Sequence, residues 1–464
     1  MKHCPRFLQE NEAPTMNRII GGIHMGISGD RLVPVKIGNQ IDVLTLSELY
    51  GIQNASVLSV NLNDPCPQLE IGSLPTWWVK RFLNNKSGEA YSADKKGREW
   101  QVARKKINRM IKRSKGEEVA AEWLPIMDIT RRVYNDEILD VSSRFGGTTC
   151  SKEFPLMSWE GNVLKPKKAS DINLYKPASV TCPVSSPTDI KYDVPIQCDD
   201  VRNGLCYWPN PKGAPYRLPT KIDYTNQSLA KAWFRILGEY VSEGYSSSKL
   251  VAITGTSKEA MEKTASDMSL LLGREILAKP RQNEFYHGCI RGRHVFARSD
   301  TIYRVSACNG PIANMFAGIC GRGAKNKKIP SCVFNAPPYL KEEFLKALCR
   351  GDAYNFDKNK SEFEKSYTEW YKQVAFRFET ASVRLACGVC LLLATMDKRF
   401  SIRRDLVKQS YGVDYVAYRK NSRNPKIRII PTSPPTDGYL YDVKTRKGFD
   451  FVDAMGLLVI GDKK

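Results

Sequence analysis

Apolar residues recur along this chain with two different periods, and the change of period divides it. Between residues 28 and 74 they fall in short runs, LVPVKI at 32–37, IDVLTL at 41–46 and ASVLSVNL at 55–62, separated by Gly, Asn and Asp. Short β-branched runs bounded by turn residues predict strands. Similar runs return at 137–164 (EILDVSS, FPLMSW, GNVLKP), whereas 165–220 is rich in Pro, Ser, Asp and Cys and reads as a linker or loop-heavy edge. From 226 the period becomes helical. Leu229, Ala232, Trp233, Ile236, Leu237 and Tyr240 line one face, and Gly244 follows as a C-cap candidate.

That helical pattern occurs twice. WFRILGEYVSEGY at 233–245 and EFLKALCRGDAYN at 343–355 each end in an acid followed by a small residue, placing Glu243 and Asp352 at equivalent positions 109 residues apart (352 − 243). Strand KLVAIT (249–254) and helix TSKEAMEKTASDMSLLL (256–272) follow the first, with Thr256 and Glu259 as a capping box; strand VAFRFET (374–380) and helix ASVRLACGVCLLL (381–393) follow the second. One unit is therefore present in two copies with one carboxylate each. Gly238 and Ala347 stand in matched places before the acids, where small side chains let two helices approach closely.

Charge narrows the chemistry. The 464 residues are enough for two or three domains, and their net charge of +22 calls for a polyanionic partner, nucleic acid first and an anionic membrane surface second. No apolar run approaches the roughly 20 residues of a spanning helix, and the expectation is an intracellular protein without a signal peptide, nuclear in a eukaryotic host. Thirteen Lys or Arg lie between Lys80 and Lys115 against Glu89, Asp94 and Glu99. REWQVARKKINRMIKR within this stretch fits a helix carrying Arg104, Lys105, Arg109, Lys112 and Arg113 opposite an apolar face, beside Trp77, Trp78 and Trp100. It is either a solvated face or a DNA-backbone contact.

Four histidines, none in a Ser/His/Asp or HExxH arrangement, argue against serine-type hydrolysis. The 13 scattered cysteines read as reduced thiols, and the lone CxxC of Cys387 and Cys390 as part of a buried helix. Two carboxylates meeting at a repeat interface repel unless a cation lies between them, and Mg²⁺ (or Mn²⁺) accepts a few carboxylate oxygens while keeping water and phosphate oxygens. Such an ion suits phosphodiester hydrolysis. KNKKIP at 325–330 supplies lysine just before the second acid-bearing helix. Basic strand-like segments at 279–299 (Arg281, Arg291, Arg293) and 415–431 (Arg419, Lys426, Arg428) fit β-ribbons that enter a major groove, or amphipathic sheets with a wet face.

ILGEYVSEG and LKALCRGDA resemble the two LAGLIDADG motifs of single-chain homing endonucleases, and KKIPSCVF resembles the lysine block before the second motif. The resemblance covers about 222–430. It implies two αββαββα repeats related by a pseudo-two-fold, a long asymmetric double-stranded DNA site, a monomer, metal ligation by Glu243 and Asp352, and a catalytic role for them with Lys327. Ala353 stands where the second motif would close with glycine.

The flanks resemble a split Hint (intein-like) domain: GISGDRLVPV at 26–35, SKEFPLMSWEGNVLKPKKASDI at 151–172 and GYLYDVKTRKGFDFVDAMGLLVIGD at 438–462. Gly26 replaces the nucleophile of that family, Phe154 and Phe449 its histidines, and Ile460 and Gly461 its terminal His-Asn. The resemblance then implies a Hint scaffold that no longer splices, as in intein-type and mating-type-switching endonucleases whose Hint part also binds DNA. The expected fold is α+β, a β-rich Hint-like horseshoe interrupted by the nuclease. Residues 1–25 would be a leader, 26–220 the first Hint-like part with a DNA-recognition insert at 75–118, 222–430 the nuclease and 431–464 the closing part. A maturase-like DNA or RNA binder without cleavage is the alternative function.

Overall fold

The fold was analysed in a computed structural model, which describes residues 26–60, 118–143, 146–160, 163–172, 179–181, 191–209, 213–282, 287–290, 293–296, 301–354, 376–396, 398, 400–405, 408–415, 428–445, 451–455 and 458–460. The expected leader, the basic helix with Lys105, Arg109, Lys112 and Arg113, and positions Arg291, Arg419, Lys426, Phe449 and Gly461 lie outside the described residues.

The N-terminal half is strand-rich. It runs β1 (Ile27–Ser28), β2 (Leu32–Ile37), β3 (Gln40–Thr45), α1 (Leu46–Leu49), β4 (Ala55–Val60), β5 (Glu118–Val133), β6 (Ile138–Ser143), β7 (Gly146–Cys150), β8 (Pro155–Glu160) and β9 (Val163–Lys168). Thr45 caps α1 with its hydroxyl while Glu48 reaches back to the Thr45 N–H, a complete capping box. Short elements follow: β10 (Ser179–Thr181), β11 (Lys191–Asp193), β12 (Val201–Arg202), β13 (Leu205–Trp208), β14 (Tyr216–Pro219) and β15 (Lys221–Asp223). The expected linker over 165–220 is thus more ordered than its composition implies. β12, β13 and β14 form a sheet of their own, and Cys206, Trp208 and Leu218 anchor it in the apolar core.

Two similar units come next. The first is α2 (Gln227–Glu243), β16 (Gly244–Ser246), β17 (Val251–Gly255), α3 (Lys258–Leu272), β18 (Lys279–Gln282), the hairpin β19 (His287–Ile290) and β20 (Arg293–Phe296), β21 (Thr301–Ala307) and α4 (Gly310–Cys320). After α5 (Ser331–Asn335), the second is α6 (Pro338–Asp352), β22 (Ala353–Tyr354), β23 (Phe376–Thr380), α7 (Val383–Thr395), β24 (Phe400–Asp405) and β25 (Ser410–Tyr415). Their sheets are ordered β16-β17-β21-β18 and β22-β23-β25-β24, so the repeat expected from the paired motifs extends to strand order. The cap of α3 differs from expectation by one residue: Ser257, rather than Thr256, accepts from the Ala260 N–H.

The last strands, β26 (Arg428–Thr432), β27 (Tyr439–Thr445), β28 (Phe451–Asp453) and β29 (Leu458–Ile460), return to the first. They complete a 14-stranded sheet ordered β26-β6-β7-β1-β27-β5-β4-β28-β29-β8-β9, with β10 on β5 and the β2–β3 pair on β4. Arg428 therefore opens a strand of this sheet, opposite Ser142, instead of a ribbon beside the second repeat. β2 is buried on both faces. Val33 and Val35 join Ile27, Leu46, Val141 and Tyr441 in one apolar cluster, while Leu32 joins Ile41, Val43, Leu58 and Val452 in the cluster that also contains the cores of α2, α6 and α7. The large sheet and the repeat helices share that second core, so neither closes without the other. Among the described residues, no helix is long and apolar enough to cross a membrane.

Candidate active site

The two acid-bearing helices lie side by side because their sequences leave room. Asn226 caps α2 by accepting from the Leu229 N–H, and the buried face Ala230, Trp233, Phe234, Leu237, Tyr240 and Val241 holds the helix against its neighbours. A Cβ at Gly238 would lie 2.5 Å from the Phe344 carbonyl oxygen and 2.7 Å from the Ala347 Cβ. On the other helix, a Cβ at Gly351 would lie 2.7 Å from Ser242 Oγ and 2.8 Å from Glu243 Cγ. Glycine on both sides lets the helices touch backbone to backbone where they end. The close approach expected from Gly238 and Ala347 is present, and Gly351 adds to it.

Both helices end at the acids. Gly244 is the C-cap of α2, as the sequence suggests: its backbone is extended (φ −85°, ψ 152°) and its N–H donates to the Tyr240 carbonyl. Glycine is required there by space, since a Cβ would meet the Tyr240 main chain at 2.5 Å. Ala353 follows Asp352 with similar extended angles (φ −108°, ψ 134°) and carries no strain in place of glycine.

Asp352 is partly buried, and its carboxyl is pushed up to about 7, first by burial and then by the charge of Glu243, with Lys327 pulling the other way. The two acids are thus electrostatic neighbours. Lys327 is 5% exposed. Its ammonium donates to the Tyr240 carbonyl and, at 2.7 Å, to the Gly244 carbonyl, and lies 3.8 Å from the centre of the Tyr240 ring. Burial pulls its pKa down to about 8, opposed by Cys320, Asp352 and Glu243. The main chain at this lysine is fixed too: Ser382 Oγ, the cap of α7, donates 2.6 Å to the Lys327 carbonyl. The sequence-selected trio of Glu243, Asp352 and Lys327 is brought together at one place.

Sequence reasoning missed the charges behind it. Glu239, buried on α2 one turn before Glu243, meets Arg350 of α6 at 2.7 Å. Burial lifts its carboxyl to about 7 despite Arg350, and the Glu243 charge adds to the rise. Arg235 of α2 forks onto Asp267 of α3 at 2.7 and 2.8 Å and reaches Glu343 of α6 at 2.9 Å. The available signal was a glutamate inside the apolar face of α2, at a place where the second motif has Leu348.

Two hard carboxylate donors at converging helix ends suit a divalent cation that keeps water and phosphate oxygens in its shell. Among the described residues, no group of three or more His, Cys, Asp or Glu side chains is arranged to hold a metal. Cys387 and Cys390 are fully buried in α7.

Other selected residues are dispersed. Arg281 is exposed on β18, paired in register with Ile302 of β21, and Arg293 opens β20 opposite Ile290. In the large sheet, the Gly26 N–H donates 3.2 Å to Ser151 Oγ and its carbonyl accepts from the Ser151 N–H at 3.0 Å. A Cβ at Gly26 would lie 2.8 Å from Leu440 Cβ, and Phe154 is buried. Ile460 pairs with Phe451 and Leu156. Nearby, Arg31 forks onto Asp453 at 3.0 and 2.9 Å and donates 2.8 Å to the Gly147 carbonyl.

No family model matches the sequence, and no curated protein matches it. Among solved structures, mesophilic variants of the homing endonuclease I-DmoI are similar at 13% identity, covering 40% of this chain and 89% of that one, with a TM-score of 0.27. I-DmoI in complex with DNA and Mn is similar at 14% identity over 40% of this chain and 90% of that one, with a TM-score of 0.27. An intein from a hyperthermophile is similar at 12% identity over 32% of this chain and 68% of that one, with a TM-score of 0.20.

Proposed function

We propose that the chain is a site-specific DNA endonuclease that hydrolyses one phosphodiester bond in each strand of a long, asymmetric duplex site, with Mg²⁺ or Mn²⁺ held by Glu243 and Asp352. One observation carries the reading. Where two helices touch through glycine, a partly buried carboxyl is lifted to about 7 beside a second carboxylate, and a buried lysine lies next to both. Clustered groups with opposed shifts mark working sites more often than structural ones.

In this reading residues 222–430 are the nuclease, and 26–220 with 431–464 are a Hint-like scaffold that has lost splicing and adds DNA contacts. Residues 1–25 are a leader and 75–118 a recognition arm. When bound, the cation polarises the phosphodiester and activates the attacking water. Asp352 has to release its proton before it can serve as a ligand. Lys327, fixed by two carbonyls, keeps a positive charge beside the acids and offsets charge that develops on the phosphate.

The test is incubation of the purified protein and Mg²⁺ with a plasmid library carrying randomised inserts, beside Glu243→Gln and Asp352→Asn. Wild type should yield linear product with discrete sequenced ends, and neither variant should. Tight binding without product from wild type would replace the nuclease by a binding protein on the same scaffold.

A further inference from the structure

The sheets of the two repeats share strand order but not surface chemistry. In the second sheet Phe378, Val413 and Ile402, paired across three strands, are buried, so the residues on either side of each in its own strand point to the opposite, outer face. There Arg377 lies across from Asp414 and binds it at 2.7 Å. One rung along, Gly412 stands between Glu379 and Arg403. A Cβ at Gly412 would lie 2.6 Å from Arg403 Nε, so the glycine is the gap through which the Arg403 guanidinium crosses the strand to reach Glu379 at 2.7 Å. Two guanidinium–carboxylate pairs thus sit in neighbouring rungs.

The first sheet has no counterpart. With Ile253 and Val305 buried, its outer face presents Lys279, Arg281 and Arg304, the last over the Tyr245 ring, and no carboxylate among the described residues. One face carries three positive charges and no carboxylate among the described residues; the other sets its two guanidiniums against carboxylates.

We propose that the two sheets read the two halves of the DNA site by different chemistry: Arg377–Asp414 and Arg403–Glu379 each select a G·C base pair in one half, while Lys279, Arg281 and Arg304 hold the other half chiefly by charge. This rests on the DNA reading above and adds the residues that set specificity. A carboxylate facing DNA is repelled by phosphate and has a complementary partner only in the amino group of a base edge, foremost cytosine N4. The guanidinium beside it matches guanine O6 and N7. Side chains that already hold each other in a sheet are also preorganised, so less rotamer freedom is lost on binding. The cationic face has no such filter, because phosphate contacts carry position and salt dependence without sequence.

The experiment uses the full chain and a duplex library randomised across both halves, with bound DNA sequenced at low and moderate salt. Wild type should select G·C pairs at two or more positions of one half and little in the other. Asp414→Asn, Glu379→Gln and Arg377→Lys should each relax preference at one position by about tenfold and leave the rest unchanged. Lys279→Ala with Arg281→Ala should weaken binding to all sequences alike and lower the salt slope by about one per charge removed. These side chains are at least partly exposed, and a thermal melt checks that each variant folds. Uniform weakening by the second-sheet variants, with base preferences intact, would overturn the inference and leave the nuclease reading standing. Failure of wild type to retain any duplex at low salt would overturn both.

Discussion

Two centres in this molecule join chain segments far apart in sequence, and they have been finished in opposite ways. Around Gly26, a backbone N–H, a serine hydroxyl and an Arg31–Asp453 fork are mutually paired, and Leu440 fills the space a side chain would need. Asp453 also accepts 2.8 Å from the Met455 N–H, which completes its bonding. Burial holds the neighbouring Cys150 thiol above its ordinary range, so it stays protonated and a poor nucleophile. At the helix ends, by contrast, Asp352, Glu239 and Lys327 sit away from their ordinary ionisation, chiefly because burial disfavours their charged forms. A site whose groups are content adds only stability; a site kept under electrostatic tension has something left to bind.

The contrast breaks first at the acids. Glu243→Gln and Asp352→Asn should each lower DNA cleavage by about a thousandfold or more, because each removes a carboxylate from the proposed metal site, while thermal unfolding without metal should show no loss of stability. A variant that cuts normally, or unfolds early, would place the acids with the structural charges. The complementary change is Arg31→Met. It leaves Asp453 buried without its partner and should cost about 3–5 kcal/mol in urea unfolding. Replacing Asp453 by leucine as well should recover much of that, which marks the pair as scaffold.

Acidity sharpens the comparison next. The folded pKa of Asp352 lies above its ordinary 3.8, so its contribution to stability is full below that value and declines as pH rises through about 7. Metal-free protein should therefore lose stability between pH 4 and 7.5, Mg²⁺ should restore it above 7, and cleavage should rise over the same interval. Asp352→Asn should reduce the first trend and leave the part that Glu239 contributes, as followed by calorimetry at several pH values. The smallest effect belongs to Gly26→Cys. The crowded Cβ should cost about 1–3 kcal/mol, and a denaturing gel should show no shortened product. Shortened bands would show that the thiol alone restores processing.

Much of the repeat region was legible because its signals are local. The 3.6 period of Leu229 to Tyr240, the repeated acid and the small residues before it describe one helix pair, and α2 and α6 meet at Gly238 and Ala347 accordingly. What was illegible depends on contacts between distant segments. The Glu239–Arg350 pair joins positions that are not equivalent in the repeat, so the register that exposed Glu243 and Asp352 concealed it. Strand β26 looked like a ribbon of the second repeat because KIRII alternates, but alternation does not name the neighbouring strand, which is β6. Composition misled at 165–220, where Pro and Ser punctuate short strands held by Cys206, Trp208 and Leu218. Thr256 and Ser257 are both good caps, and local pattern could not choose between them.

The apolar seam through Leu32, Ile41 and Val452 on one side and the cores of α6 and α7 on the other bears on what the chain can afford to lose. Trimming the large sheet away would strip the helix that carries Asp352 of its backing and open that face to water. A deletion that reaches Leu32 or Val452 should therefore be felt at the distant acids as surely as one within α6.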